Sequence, residues 1–445
     1  MNRRLGIAIA VVLAAAGVGV GLSLSSSPPH SKTTAPVTTT TSPRVKPPTD
    51  FTPPASLSHN CSKDVTAELD YFFYLTPKSA TVELPKNACY LVSNSDASLL
   101  TIANKSGLTV NGNNAQFKQN SYAGNGDVAP ILSLTSDTGL TVNNLVLVGP
   151  GGAGGQEGDV GLMVTLDTDL TVNGLIVTGT DGDGVDVYAG PGQFGINRNV
   201  VLNHLILANI GYHAIVPESA KGLLIENSTI TSGDIDAEVD GNCQGQSPSS
   251  CGGTVADPAG DALVNFTLNN DSFPNGLSFE DGMSCLPIAN WAFTNDNFGT
   301  GGIDLQFDTA SNMDLSDIVN DPAEDAANGW SSSLCAPQSG LTISGNKDTG
   351  QSLPNWGGSG SSWILVQQWH NVAITGNDFT FDPNFGCVGW PVTDLWSDVG
   401  VKITGNTFND MIIDHTDTSP SDWPPDTGIV DSGNTHRFLN GATCG

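Results

Sequence analysis

Between Asp234 and Asp240 the chain alternates carboxylates with small apolar residues: Asp234, Asp236, Glu238 and Asp240 against Ile235, Ala237 and Val239. Successive side chains of a strand point to opposite faces. All four carboxylates therefore share one face. Similar short strands lie upstream and downstream. GVDVY presents Asp186 and Tyr188, AIVPE presents Val216 and Glu218, GLSFE presents Ser278 and Glu280, and GIDLQFD presents Asp304, Gln306 and Asp308. Stacked in register they form two outer columns. One runs Asp186, Val216, Asp236, Ser278, Asp304; the other runs Tyr188, Glu218, Glu238, Glu280, Gln306.

Stacked strands are about 4.8 Å apart, so carboxylates crowd in such columns and raise one another's pKa or recruit a cation. A glycosidase needs one protonated and one ionised carboxyl group, which crowding can supply. Asp236 and Glu238 are the expected catalytic pair, flanked by Asp186, Glu218, Glu280 and Asp304, with Tyr188, Tyr212 and Gln306 as sugar contacts. No cofactor is required, although Asp234, Asp236 and Asp240 offer the oxygen ligands that calcium takes. A solvated acidic wall is the plainer alternative. His213 reads as a turn residue. A lyase would need a basic residue, and Lys221 is the one nearest the columns.

These strands belong to a repeat. GLTVNGN near Leu108 recurs as GLTVNNL near Leu140, DLTVNGL near Leu170, NVVLNHL near Val200 and GLLIENS near Leu223. It continues near Phe266, Trp291, Leu341, Val372 and Val401, at intervals of roughly two to three dozen residues, the length of one solenoid coil. Each block alternates apolar and polar residues, a strand with one buried face. Asn and Gly follow and supply tight turn geometry. One coil cannot bury its apolar face alone, but stacked coils can. The fold class is all-β: a single-stranded parallel β-helix of about a dozen coils over residues 58–445. Val65, Leu69, Phe72 and Phe73, at helical spacing within residues 62–74, predict an amphipathic helix that caps the N-terminal end.

Arg3 and Arg4 precede an apolar run to about Leu24, so residues 1–24 read as a cleaved signal peptide or an uncleaved transmembrane anchor. Residues 25–57, rich in Ser, Thr and Pro, read as a tether. The protein is thus expected to be secreted or extracellular, touching a membrane only through this first segment, and a monomer. Eight cysteines in an exported chain favour disulfides. Sequence neighbours pair most simply, Cys61 with Cys89, Cys243 with Cys251, Cys285 with Cys335 and Cys387 with Cys444, but connectivity stays open. A net charge of -30 argues against nucleic acid as a partner and disfavours polyanions.

The opening CSKDVTAELDYFF…SATVELPKNACYLV…LTVNGNNAQF resembles the start of secreted right-handed parallel β-helix proteins of the pectin-lyase-like superfamily. The resemblance covers about residues 60–445. It implies the fold and a polysaccharide partner, but no single activity, since this fold hosts lyases, hydrolases, epimerases and non-enzymes. GTDGDGVDV (residues 179–187) and Tyr212-His213-Ala214 only partly resemble the polygalacturonase motifs, and the Arg-x-Lys element that grips a uronate is missing. A glycan-cleaving hydrolase or lyase and a non-catalytic carbohydrate-binding or structural protein both remain open.

Overall fold

The computed structural model describes residues 50–93, 99–121, 129–151, 159–188, 195–239, 254–258, 262–273, 275–280, 287–298, 303–305, 338–348, 364–367, 369–379, 393–396, 398–409, 413–414 and 426–437. Every strand pairing among them is parallel, and partners lie one coil apart. Val110 pairs with Val142, Val142 with Val172 and Val172 with Leu202. Leu202 pairs in turn with Ile225, and Ile225 with Leu268. These stacks build an 18-stranded sheet, an 11-stranded sheet and a 4-stranded sheet. The expected parallel β-helix is the observed fold.

The repeat explains the core. Leu108, Val110, Leu140, Val142, Leu170, Val172, Leu223 and Ile225 are all buried, as their alternation requires. Toward the C-terminal coils larger side chains fill the same space. Trp291 packs edge-on against Phe266 and lies 5.3 Å, centroid to centroid, from Trp369. Trp369 is fully buried and belongs to the core.

The turns are tied by side chains. Asn104, Asn227 and Asn265, each in a glycosylation-like triplet, adopt left-handed backbone conformations with φ near +57°. At one corner the Lys105 backbone N–H donates to Asp137 Oδ1, the Asp137 N–H to Asp167 Oδ1 and the Asp167 N–H to Asn197 Oδ1. A longer ladder runs from Ser228 through Asp271, Asp296, Asn346, Asn377 and Asn406 to Asn434. Buried backbone donors that have no strand partner at the corners are satisfied in this way.

At the N-terminal end helix α1 (Thr66–Leu75) turns Leu69 and Phe73 into the core, with Phe72 packed beside them. It starts later than its periodicity suggests, because Asn60–Asp64 is taken up as a strand against Cys89–Val92. Asp64 Oδ1 then accepts the Thr66 N–H. Cys61 and Cys89 form a disulfide. Cys243, Cys251, Cys285, Cys335, Cys387 and Cys444 lie outside the described residues. Asp50–Phe51, within the segment read as a tether, already pairs with Thr81–Val82. Among the described residues no helix is long and apolar enough to cross a membrane.

Candidate functional site

The 11-stranded sheet carries the acidic columns. Asp186 is the register partner of Val216 on one side and Met163 on the other. Ile215 pairs with Ile235, which sets Val216 beside Asp236, and Asp236 pairs with Ser278. The pairing of Leu277 with Ile303 sets Ser278 beside Asp304. In the second column Glu238 pairs with Glu280, and the Glu218 N–H donates to the Val187 carbonyl at 3.1 Å. The backbone register of the first column is thus the one the alternation predicts, and that of the second follows it at Glu238 and Glu280. Asp240 and Gln306 lie outside the described residues.

Two expectations need correction. Two carboxyl groups of the first column are not exposed: Asp186 is 7% accessible and Asp236 1%. They point away from the apolar core yet are covered by their own neighbours. His213, moreover, is more than a turn residue. Its backbone N–H donates to Asp183 Oδ1 at 3.2 Å, and its Nδ1 lies 2.8 Å from Asp234 Oδ1. Nε2 lies 3.4 Å from Asp236 Oδ2, an ionic contact outside good hydrogen-bond geometry.

Local backbone makes this convergence possible. Gly233, at φ +74°, runs so close to the preceding coil that an added Cβ would come within 2.6 Å of the Ala214 nitrogen. A side chain there would push Asp234 away from His213. Gly211 is equally tight against the Asp181 carbonyl, at 2.3 Å. The loop carrying Asp181 and Asp183, the turn carrying Tyr212 and His213, and the strand carrying Asp234 and Asp236 thus meet on three successive coils.

The electrostatics separate these groups. Burial alone would lower the His213 pKa, but the Asp234 hydrogen bond and the charges of Asp236, Asp234 and Asp183 outweigh it and push it up to about 9. His213 is therefore an imidazolium at neutral pH, held between two carboxylates. Asp186 moves the opposite way: burial, then the charge of Asp183, raises its pKa well above the usual carboxylate range. Its Oδ1 is buried without a hydrogen-bond partner. A carboxyl group that burial shifts toward its neutral form and an imidazolium between two aspartates thus share one patch, a division that acid–base chemistry can use.

Tyr212 is 38% accessible and its ring lies edge-on to that of His213 at 3.8 Å. Tyr188 and Glu218 are half-buried at the same face. Lys221 is turned elsewhere, its Nζ donating to the Ala256 carbonyl at 2.7 Å. Among the described residues no three acidic, cysteine or histidine side chains gather as metal ligands. Asp234 and Asp236 face His213 instead.

No protein-family model matches the chain, and no curated protein matches it. Solved structures do. An endo-xylogalacturonan hydrolase from Aspergillus tubingensis superposes with a TM-score of 0.54 at 13% identity, covering 86% of this chain and 100% of the hydrolase. PfbA, a surface adhesin of Streptococcus pneumoniae, gives 0.53 at 10% identity over 86% and 88% of the two chains. A tailspike protein of E. coli bacteriophage HK620, solved with a pentasaccharide, gives 0.52 at 11% identity over 85% and 64%. At these identities the likeness is one of fold. That fold is the parallel β-helix that the repeat implies.

Proposed function

We propose that the chain is an extracellular protein that hydrolyses a polysaccharide at the face formed by Asp183, Asp186, His213, Asp234 and Asp236. The observation that carries this reading is the convergence of His213, between Asp234 and Asp236, with Asp183 on its backbone, beside Asp186, whose pKa burial and the Asp183 charge raise. In this reading Asp186 gives its proton to the glycosidic oxygen, and Asp236 accepts a proton from the attacking water. His213 touches no substrate; it positions Asp236 and supplies its counter-charge. Tyr212 offers an exposed ring for a sugar face.

Asp186 and Asp236 stand two coils apart in one column, about 9.6 Å of backbone separation. That is closer to the spacing of inverting enzymes, about 6.5–9.5 Å, than to the ~5–5.5 Å of retaining ones. Hydrolysis is favoured over a lyase reaction because the Lys221 amine is engaged away from the columns. The hydrolase, adhesin and tailspike of like fold make a glycan partner a reasonable class. Calcium binding by Asp234, Asp236 and Asp240 is a further open part of the proposal. The Cys61–Cys89 disulfide supports the exported location.

The burial of Asp186 and Asp236 favours a second reading, a non-catalytic surface protein that binds glycan along the same face. Incubation with a panel of neutral, acidic and amino-sugar polysaccharides separates the two. Hydrolysis releases new reducing ends with no unsaturated uronate. Binding without any product supports the second reading instead.

A further inference from the structure

The two corner ladders mix asparagine and aspartate rungs, and the two kinds differ at one atom. In every rung the Oδ1 accepts a backbone N–H from the coil before. The asparagine rungs also donate from Nδ2 to a main-chain carbonyl: Asn197 to Val164, Asn346 to Phe293, Asn377 to Ile343, Asn406 to Ile374 and Asn434 to Ile403. The acceptor is always the residue three positions before the preceding rung. By the same offset the Ile102, Leu134 and Leu268 carbonyls are the acceptors expected for Oδ2 of Asp137, Asp167 and Asp296, the Leu268 carbonyl also accepting from Thr294 Oγ1 at 3.3 Å. All three Oδ2 atoms are buried and without a partner in good hydrogen-bond geometry, although the Thr135 backbone N–H bears on the Asp137 carboxyl and the Thr294 N–H on that of Asp296; Asp167 has no such second donor. A carboxylate oxygen against a carbonyl oxygen is repulsive, whereas a carboxylic acid can donate its O–H there.

We propose that Asp137, Asp167 and Asp296 are neutral carboxylic acids in the folded protein, each donating Oδ2–H to a main-chain carbonyl, so that the β-helix is fastened more tightly in mild acid than at alkaline pH. Of the charges that bear on them, the Lys105 ammonium opposes this at Asp137, as the smallest influence there, and the others favour it. Asp137 faces the Lys105 backbone and, more remotely, its ammonium, which is held by the Tyr74 and Thr76 carbonyls. Asp167 faces Asp137, Asp296 faces Asp271, and Asp271 faces Glu226, all like charges if ionised. Burial, the largest influence, raises the pKa of Asp137 to about 7 and those of Asp167 and Asp296 to about 8. Asp271 is raised by burial to about 7 as well, but its Oδ2 accepts the Asn269 N–H and has no need of a proton of its own.

The sign follows from linkage. A folded-state pKa above the unfolded 3.8 gives a contribution fully present below about pH 4 and lost as pH rises through 7 to 8. Asparagine makes the same two hydrogen bonds without a titrating proton. Melting temperatures of the full chain and of Asp167→Asn and Asp296→Asn, measured from pH 4 to 9, test the proposal. At pH 8.5 each variant should melt about 2 °C or more above the wild type, and at pH 4 the difference should vanish. His213 titrates in the same window in every form, so the difference between variant and wild type isolates the ladder. Parallel profiles, or variants less stable at pH 8.5, would overturn it. An independent readout is the infrared carbonyl stretch of neutral carboxylic acids in the wild type at pH 6, where surface carboxylates are ionised. Its presence, and its weakening in each variant, is expected; its absence contradicts the proposal.

Discussion

His213 Nδ1 lies 2.8 Å from Asp234 Oδ1, and the two residues occupy neighbouring coils 21 positions apart in sequence. Asp183, bonded to the His213 backbone, lies 30 positions earlier, one coil on the other side. The solenoid thus assembles an acid–base group from three segments, none of which carries a complete motif.

His213 should titrate far from an ordinary imidazole. NMR of the ring carbons is expected to give a pKa near 9 in the wild type. Asp234→Asn should lower it, since the Asp234 hydrogen bond is the leading raising influence. Because the folded value exceeds the unfolded one, the stabilisation is full below about pH 6.5 and is lost as pH rises through 9. A ring titrating near 6.5 in the wild type would contradict the geometry.

The two buried carboxyls should respond oppositely to amidation. Asp186→Asn removes a buried carboxyl whose ionisation is disfavoured by burial, and should leave stability at pH 7 unchanged or slightly higher. Asp236→Asn removes a counter-charge of His213 and should cost roughly 1–3 kcal/mol. Urea unfolding at pH 7 checks both, and equal losses would refute the assigned protonation states.

A ladder rung should matter as much as a core side chain. Asn377→Ala removes the acceptor of the Asn346 N–H and the donor to the Ile343 carbonyl, both buried. The expected loss is about 2–3 kcal/mol. Leu170→Ala, at a fully buried position, should cost about 2–5 kcal/mol. Chemical denaturation reads both.

The repeat makes the fold legible in the sequence itself. Its alternation marks Leu108, Val142 and Ile225 as core and places Asp186, Asp236 and Ser278 in one column, because a solenoid converts sequence periodicity directly into stacking. The site is only half legible. Alternation shows which way Asp236 points, not that neighbouring coils cover it, and so an open acidic face is the natural expectation. The role of His213 is hidden because its partners, Asp183, Asp234 and Asp236, come from other coils. The available signal is its spacing of about one coil from each. The corner ladders are hidden for a similar reason: Asp167 and Asn197 look like ordinary turn residues until the coils are stacked.

The disulfide should guard the N-terminal end. Cys61 and Cys89 are 28 residues apart, and opening that loop is expected to cost about 2–4 kcal/mol. Hydrogen exchange on a Cys61→Ser/Cys89→Ser variant should show faster exchange in α1 and residues 60–64, with the central coils unchanged. Uniform loosening would argue against local anchoring.

The most direct test compares wild type with Asp186→Asn on whichever polysaccharide of the panel yields product, following reducing ends and the anomer first released. The account predicts inverted product from the wild type and a fall in kcat of about 10²–10⁴ in the variant, with KM little changed and the melting temperature preserved. A wild type that releases nothing from any polysaccharide, or a variant that retains full rate, would contradict it.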